Sequence, residues 1–221
     1  MKTIIILLLL SFNTFAVGKA PVLELPLTEY NQYLDFVTEH ENKYIIINKG
    51  SQQLVLVDNN EPILSMKVII GKRGWSTPEQ ETAITHIITN PAWNVPKSIE
   101  KELITNMDNN PEKYKNRKYI TSYRDDGSLR ITQLPGPANA LGKVKFRLSN
   151  IGRIFMHDTS APYLFKRTNR KFSHGCIRLE KPLALVENIS EIKYKQSRSS
   201  KHHKLSEPIP VYIVNWVRVN G

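Results

Sequence analysis

The chain has 221 residues, 40% of them hydrophobic, and carries 31 lysines and arginines against 20 aspartates and glutamates, a formal charge of +11. That is enough chain to bury a full core without disulfides, as one domain or one domain with a small appendage. A single cysteine excludes an internal disulfide framework, and the positive balance favours anionic surroundings such as wall polymers, lipid headgroups or nucleic acid.

The first residues, "MKTIIILLLLSFNTFAVGKAP", place one lysine before an apolar run from Ile4 to Leu10 and end in small residues. The run is too short to cross a bilayer, so it reads as a secretory signal peptide over 1–16, cut after Ala16. The mature protein is then expected to be exported, to the periplasm or cell wall, without stable membrane insertion. No cysteine lies near the leader to carry a lipid. Residues 17–42 read as a helical lead-in, with Tyr30, Leu34 and Val37 on one face behind a Thr28 cap.

Strand-like "KYIIIN", "QQLVLVD" and "PILSMKVII" follow, divided by "KGS" and "NNE" turns in the pattern of an antiparallel meander. Further strands are expected at 82–89, 129–133, 143–149, 152–157 and 210–219. Helices are expected at 97–108, after Pro96, and at 182–191, where a proline suits the first turn. The sum is a mainly β domain with a few α-helices, an α+β fold. The basic run "KYKQSRSSKHHK", 193–204, lacks helical periodicity and interleaved aromatics, so it reads as a solvated loop rather than a nucleic-acid surface. His202 and His203 lack a third ligand at a usual spacing, and no metal or other cofactor is expected.

Cys176 sits in "RKFSHGCIRLEKP" (170–182), and His157 precedes it by nineteen residues at the end of the apolar stretch in "RIFMHDTSAP". A free thiol is mostly protonated at neutral pH, and a neighbouring imidazole both lowers its pKa and accepts its proton. The imidazole needs holding by its other nitrogen, for which the backbone at Asp158 is within reach. Gly175 permits a tight turn that lets the amides of His174, Gly175 and Cys176 converge as an oxyanion hole. Arg178 offers a guanidinium suited to a carboxylate. Taken one at a time, an isolated histidine and an isolated cysteine are more often a satisfied histidine and a core cysteine.

Their company is distinctive. "HDTSAPYLFKRTNRKFSHGCIR" resembles the signature of the L,D-transpeptidase (YkuD-type) family, and "TNPAWNVPKSI" (89–99) and "LPGPANALGKVKFRLSN" (134–150) resemble segments of its branch of large Gram-negative enzymes. The resemblance spans roughly 43–219, which is expected to be the catalytic domain. It implies a β-sandwich-like catalytic fold and a peptidoglycan cross-linking acyltransferase acting on stem peptides at an anionic cell-wall surface. Position by position, it implies Cys176 as nucleophile, His157 as base and the Asp158 carbonyl as its support. Ser173, His174 and Gly175 would build the loop and oxyanion hole, with Arg178, Trp93, Phe155 and Asn139 on the substrate side. By the same resemblance Asn139 and Gly142 shape a neighbouring loop.

Phe155 stands where many relatives have tyrosine, the 96–134 segment looks short for a lid, and no wall-binding module is visible. A short lid admits water to an acyl-enzyme, which leaves the acceptor open: a stem amine giving a 3→3 crosslink, water giving an L,D-carboxypeptidase, or a lipoprotein lysine. Two readings from other classes stand beside these. One is a non-catalytic wall-binding protein, which would have no need of both thiol and base. The other is a zinc hydrolase using His157, His174 and Cys176 as ligands. Nothing in the sequence sets an oligomeric state.

Overall fold

The computed structural model of the protein describes residues 42–149 and 154–216. The expected leader over 1–16, the Thr28-capped helix and the end of the last strand at 217–219 lie outside the described residues.

The meander forms as its alternation predicts. Strands β1 (Tyr44–Asn48), β2 (Gln53–Asp58) and β3 (Glu61–Gly71) pair antiparallel in order. Asn59 and Asn60 both have positive φ between β2 and β3, the conformation a two-residue hairpin turn requires and asparagine tolerates. After β4 (Gln80–Thr89) the chain leaves the main sheet and returns with β8 (Val144–Leu148), β9 (Phe155–His157), β10 (Lys171–Ser173), β11 (Ile177–Leu179) and β12 (Lys201–Val214). A 3₁₀ turn spans Pro162–Lys166.

The ladder runs β10-β3-β11-β9-β8-β4-β12-β1-β2, and the added β2–β3 pairing closes it on itself. Inward residues from the closed ladder form one core, including Ile45, Leu56, Val68, Ile87, Phe146, Met156, Ile177 and Ile213. The helix Pro182–Ile189 packs Leu185 and Val186 into the same core. Because strand side chains alternate between faces, Phe146, Met156 and Ile177 inside place their odd- or even-numbered neighbours outside. The candidate site residues lie on that outer face.

Between β4 and β8 lies a second unit: β5 (Trp93–Asn94), helix α1 (Lys97–Asn109), the one-turn α2 (Pro111–Tyr114), β6 (Tyr119–Tyr123) and β7 (Leu129–Gln133). It makes a three-stranded sheet with its own small core of Val95, Leu103 and Ile131. The helix Pro182–Ile189 is α3. The architecture is mainly β with three α-helices among the described residues, the class expected from sequence.

Two expectations are corrected. The basic run 193–204 is not loop throughout: Lys201–Lys204 open β12 and pair with Thr89–His86 of β4. A strand held by ladder bonds on a solvent-facing stretch needs no apolar period of its own, so the pattern was silent there. The expected helix at 182–191 stops at Ile189, where Ser190 adopts an extended conformation.

Candidate active site

Parallel pairing of β11 with β9 sets Arg178 opposite His157 and Ile177 opposite Met156. Antiparallel pairing of β9 with β8 sets His157 opposite Lys145 and Phe155 opposite Arg147. Since Met156 and Ile177 face the core, Cys176, Arg178, His157, Phe155, Lys145 and Arg147 share the outer face. A thiol, an imidazole and two flanking cations are thereby gathered from three strands.

His157 is buried, and its Nδ1 is bonded to the carbonyl of Asp158. With Nδ1 carrying the proton, Nε2 is left as the basic atom. Burial, joined by the positive charges of Arg178 and Lys145, holds the imidazole down at about 3, against the pull of its Asp158 bond. It is therefore neutral at pH 7. Burial raises the Cys176 thiol, while a backbone hydrogen bond from Phe155 and the charges of Lys145 and Arg178 work in the opposite direction. The resting pair is a neutral thiol and a neutral imidazole in a field that favours a thiolate once it forms.

The Asp158 carboxylate has a separate task. Its Oδ2 accepts from Lys143 N–H at 2.8 Å and its Oδ1 from Thr159 N–H at 2.7 Å. It ties the 139–143 loop to the end of β9. Asn139 organises that loop from within: its amide donates to the carbonyls of Gln133 and Leu134, and its Oδ1 accepts from Leu141 N–H. At 1% exposure its side chain serves the loop.

The cysteine loop is held by hydroxyls. Ser173 Oγ donates to the Cys176 carbonyl at 2.5 Å and accepts from Gly175 N–H at 3.2 Å. Thr77 Oγ1 donates to the Gly175 carbonyl at 2.8 Å and accepts from Gly71 N–H. Gly175 sits at φ +102°, a left-handed conformation that favours glycine. The expected convergence of three amides is thus altered, because the Gly175 amide is engaged by Ser173. The His174 side chain points elsewhere, to Glu102 of α1 at 2.9 Å and edge-on to Trp75.

Arg178 is largely desolvated, and its Nε has no hydrogen-bond partner among the described residues. Phe155 tilts against His157, with Lys145 Nζ 3.9 Å from its ring centre. Trp93 lies in the second sheet, packed on the Val95, Leu103 and Ile131 cluster. Among the described residues no three His, Cys, Asp or Glu side chains are grouped to hold a metal ion. His202 and His203 are neighbours on one strand, and alternation sends them to opposite faces.

Sequence reasoning missed Lys145, Thr77, Glu102 and Arg170. Arg170 is buried and donates to carbonyls of Ser51, Gln52, Val68, Arg167 and Thr168, stapling the approach to β10 onto the β2–β3 edge. Arg170 and Lys145 lie inside the quoted segments 157–178 and 134–150, but nothing in their spacing marks them, and Thr77 and Glu102 lie outside those segments. Their roles arise from pairing distant strands and loops.

A family model described as YkuD, L,D-transpeptidase catalytic domain, matches residues 42–213. A Haemophilus influenzae protein provisionally named L,D-transpeptidase is 30% identical over 160 residues, covering 62% of this chain; the chain spans 31% of that relative's length. Similar solved structures include an L,D-transpeptidase from Mycobacterium smegmatis, with TM-score 0.45, 12% identity and coverage of 78% of this chain and 58% of that one. Another is the catalytic domain of the E. faecium L,D-transpeptidase, with TM-score 0.37, 16% identity and coverage of 79% and 98%. No helix among the described residues is long and apolar enough to cross a membrane.

Proposed function

The chain belongs to the YkuD family of L,D-transpeptidase catalytic domains, and on that premise we propose that it is a peptidoglycan L,D-transpeptidase working through a cysteine thioester. The observation that carries this reading is the outer-face register that sets Cys176 beside the strand of a neutral, Nδ1-anchored His157.

His157 Nε2 takes the thiol proton as Cys176 Sγ attacks the carbonyl of the third, diaminopimelate-type residue of a tetrapeptide stem. Lys145 and Arg178 offset the charge on sulfur. The oxyanion forms against the cysteine loop. The C–N bond then breaks, the terminal D-alanine leaves with the proton from His157, and a thioester remains. An acceptor amine attacks the thioester carbon, the C–S bond breaks, and sulfur regains a proton. The outcome is a 3→3 crosslink. Water in place of the amine gives L,D-carboxypeptidase activity, and a protein lysine gives lipoprotein anchoring. The buried, unpartnered Arg178 Nε supports a carboxylate grip on the donor. Residues 1–16 support export, to the periplasm or wall, as the place of action.

The test is incubation of wild-type and Cys176→Ala protein with purified tetrapeptide muropeptides, read by mass spectrometry. Loss of D-alanine and a thioester-linked adduct in the wild type alone support the reading. Turnover persisting without the thiol refutes it.

A further inference from the structure

β3 ends beside the cysteine loop in a tight turn, closed by Trp75 N–H donating to the Lys72 carbonyl at 2.9 Å. The returning chain lies so close that a Cβ on Gly71 would stand 1.9 Å from the Trp75 carbonyl oxygen and 2.7 Å from Thr77 N. Only a residue without a side chain admits that approach. It delivers Thr77, at 1% exposure, between the turn and the cysteine loop. There Oγ1 accepts from Gly71 N–H at 2.9 Å and donates to the Gly175 carbonyl at 2.8 Å. The first bond closes the turn, and the second reaches a residue 98 positions along the chain.

The other polar groups of the cysteine loop are held differently. The Ser173 carbonyl accepts from Lys72 N–H at 2.9 Å, an extension of the β3–β10 pairing. Gly175 N–H and the Cys176 carbonyl are both engaged by Ser173 Oγ, from within the loop. The Gly175 carbonyl is held by a side chain from outside it. A trans peptide is planar, with its C=O and N–H pointing in opposite directions. Fixing the Gly175 oxygen on the Thr77 side therefore fixes the whole Gly175–Cys176 peptide, the one that leads into the nucleophile.

Glycine on the N-terminal side of this peptide removes one of the two side chains that would resist its rotation, and Gly175 at φ +102° already sits where glycine is favoured. Rotated by half a turn, the peptide would present the negative end of its carbonyl dipole on the face that now carries its N–H. Acyl transfer to sulfur builds negative charge on the oxygen under attack, and a carbonyl dipole aimed at that charge opposes it. The Thr77 hydroxyl is committed to two backbone groups, so it neither gives nor takes the reacting proton.

We propose that Thr77 is a positioning residue for acylation, whose hydroxyl keeps the Gly175 carbonyl turned away from the acyl oxygen and so holds the cysteine loop in its oxyanion-stabilising setting. This rests on the reading of Cys176 as the acylated nucleophile.

Two reactions of the same thiol separate positioning from mere loss of structure, both followed by intact mass. With a carbapenem-type lactam the S–C bond forms, the ring C–N bond breaks and the thiol proton passes to the departing nitrogen, by way of an oxyanion. With iodoacetamide the S–C bond forms as iodide leaves and the proton goes to solvent, with no oxyanion. Thr77→Val keeps the shape and removes the hydroxyl; it should slow acylation at least about tenfold. Its alkylation rate should change less than about threefold, since that rate follows thiolate character and access. Thr77→Ser restores the donor and should acylate within about threefold of wild type. Thermal melting confirms each fold, and Thr77→Ala takes the place of a valine variant that does not fold. Acylation undiminished without the hydroxyl overturns the proposal, as does a parallel fall in both reactions or a serine variant as slow as the valine one. Wild-type protein that accepts an acyl group from neither the lactam nor a tetrapeptide stem refutes the nucleophile reading, and the proposal with it; the variant outcomes refute the proposal alone.

Discussion

Gly142 and the Asp158 carboxyl group occupy adjoining space with no room for a side chain between them. A Cβ at 142 would lie 2.6 Å from Asp158 Cβ and nearer still to its carboxylate, and Gly142 has φ +61°. The contact matters because the carbonyl of the same Asp158 holds His157. A loop glycine thereby packs against the residue whose carbonyl holds the imidazole.

Gly142→Ala is expected to lose about 1–3 kcal/mol of stability from the left-handed backbone and the displaced carboxylate. It should also slow acylation, because the clash with Asp158 Cβ cannot be relieved by side-chain rotation and shifts the backbone that carries the carbonyl. Urea denaturation and intact-mass acylation kinetics check both. A variant that matched wild type in each would refute the coupling.

Cys176→Ala should abolish the acyl adduct formed with a tetrapeptide or with a carbapenem-type lactam. His157→Ala should retain the thiol but slow acylation by about 10²- to 10⁴-fold, the usual worth of a positioned base. Asp158→Ala should slow acylation less than His157→Ala, since the bond to the imidazole comes from the backbone. Its cost falls on stability, about 1–3 kcal/mol, because two loop amides lose their acceptor. Chelators should leave turnover unchanged.

The raised thiol makes the resting protein slow to alkylate at neutral pH. The rate of iodoacetamide modification should climb as pH passes the ordinary cysteine range, without a plateau near pH 7. A thiolate–imidazolium pair would instead give a plateau in acid, and its observation would exclude the neutral resting pair.

His157 carries the opposite signature in stability. Its folded-state value of about 3 lies below the unfolded imidazole's, so the unfolded state binds more protons between the two. Stability from this group is complete above the unfolded value and declines as pH falls from about 6.5 towards 3. Melting temperatures of wild type and His157→Gln measured across that window should show the smaller acid-side loss in the variant.

The His174–Glu102 contact joins the cysteine loop to α1, with Lys72 3.9 Å from the same carboxylate. The Glu102 side chain is 49% exposed, so Glu102→Gln should change stability by less than about 1 kcal/mol. Its effect should appear in the Michaelis constant for the donor, through the contact of α1 with the cysteine loop. A stability loss above about 2 kcal/mol would mean the contact is buried more deeply than its exposure states.

Taken singly, Cys176, His157 and the Ser173–Gly175 loop announce no chemistry; the run "HDTSAPYLFKRTNRKFSHGCIR", by its resemblance to a known signature, is what singled them out as the candidate site. Alternating runs likewise placed β1, β2, β3 and β7, and Pro182 marked the start of α3. The short strands β5, β10 and β11 were not legible, since two or three residues hold no period and form only because longer strands offer them partners. Nor could the sequence place Lys145 opposite His157, align Lys204 with Arg147 across His86, or assign the Gly175 amide to Ser173. Those relations depend on which distant strands pair and in what register, and a shift of one residue would have turned every one of these side chains from the outer face into the core.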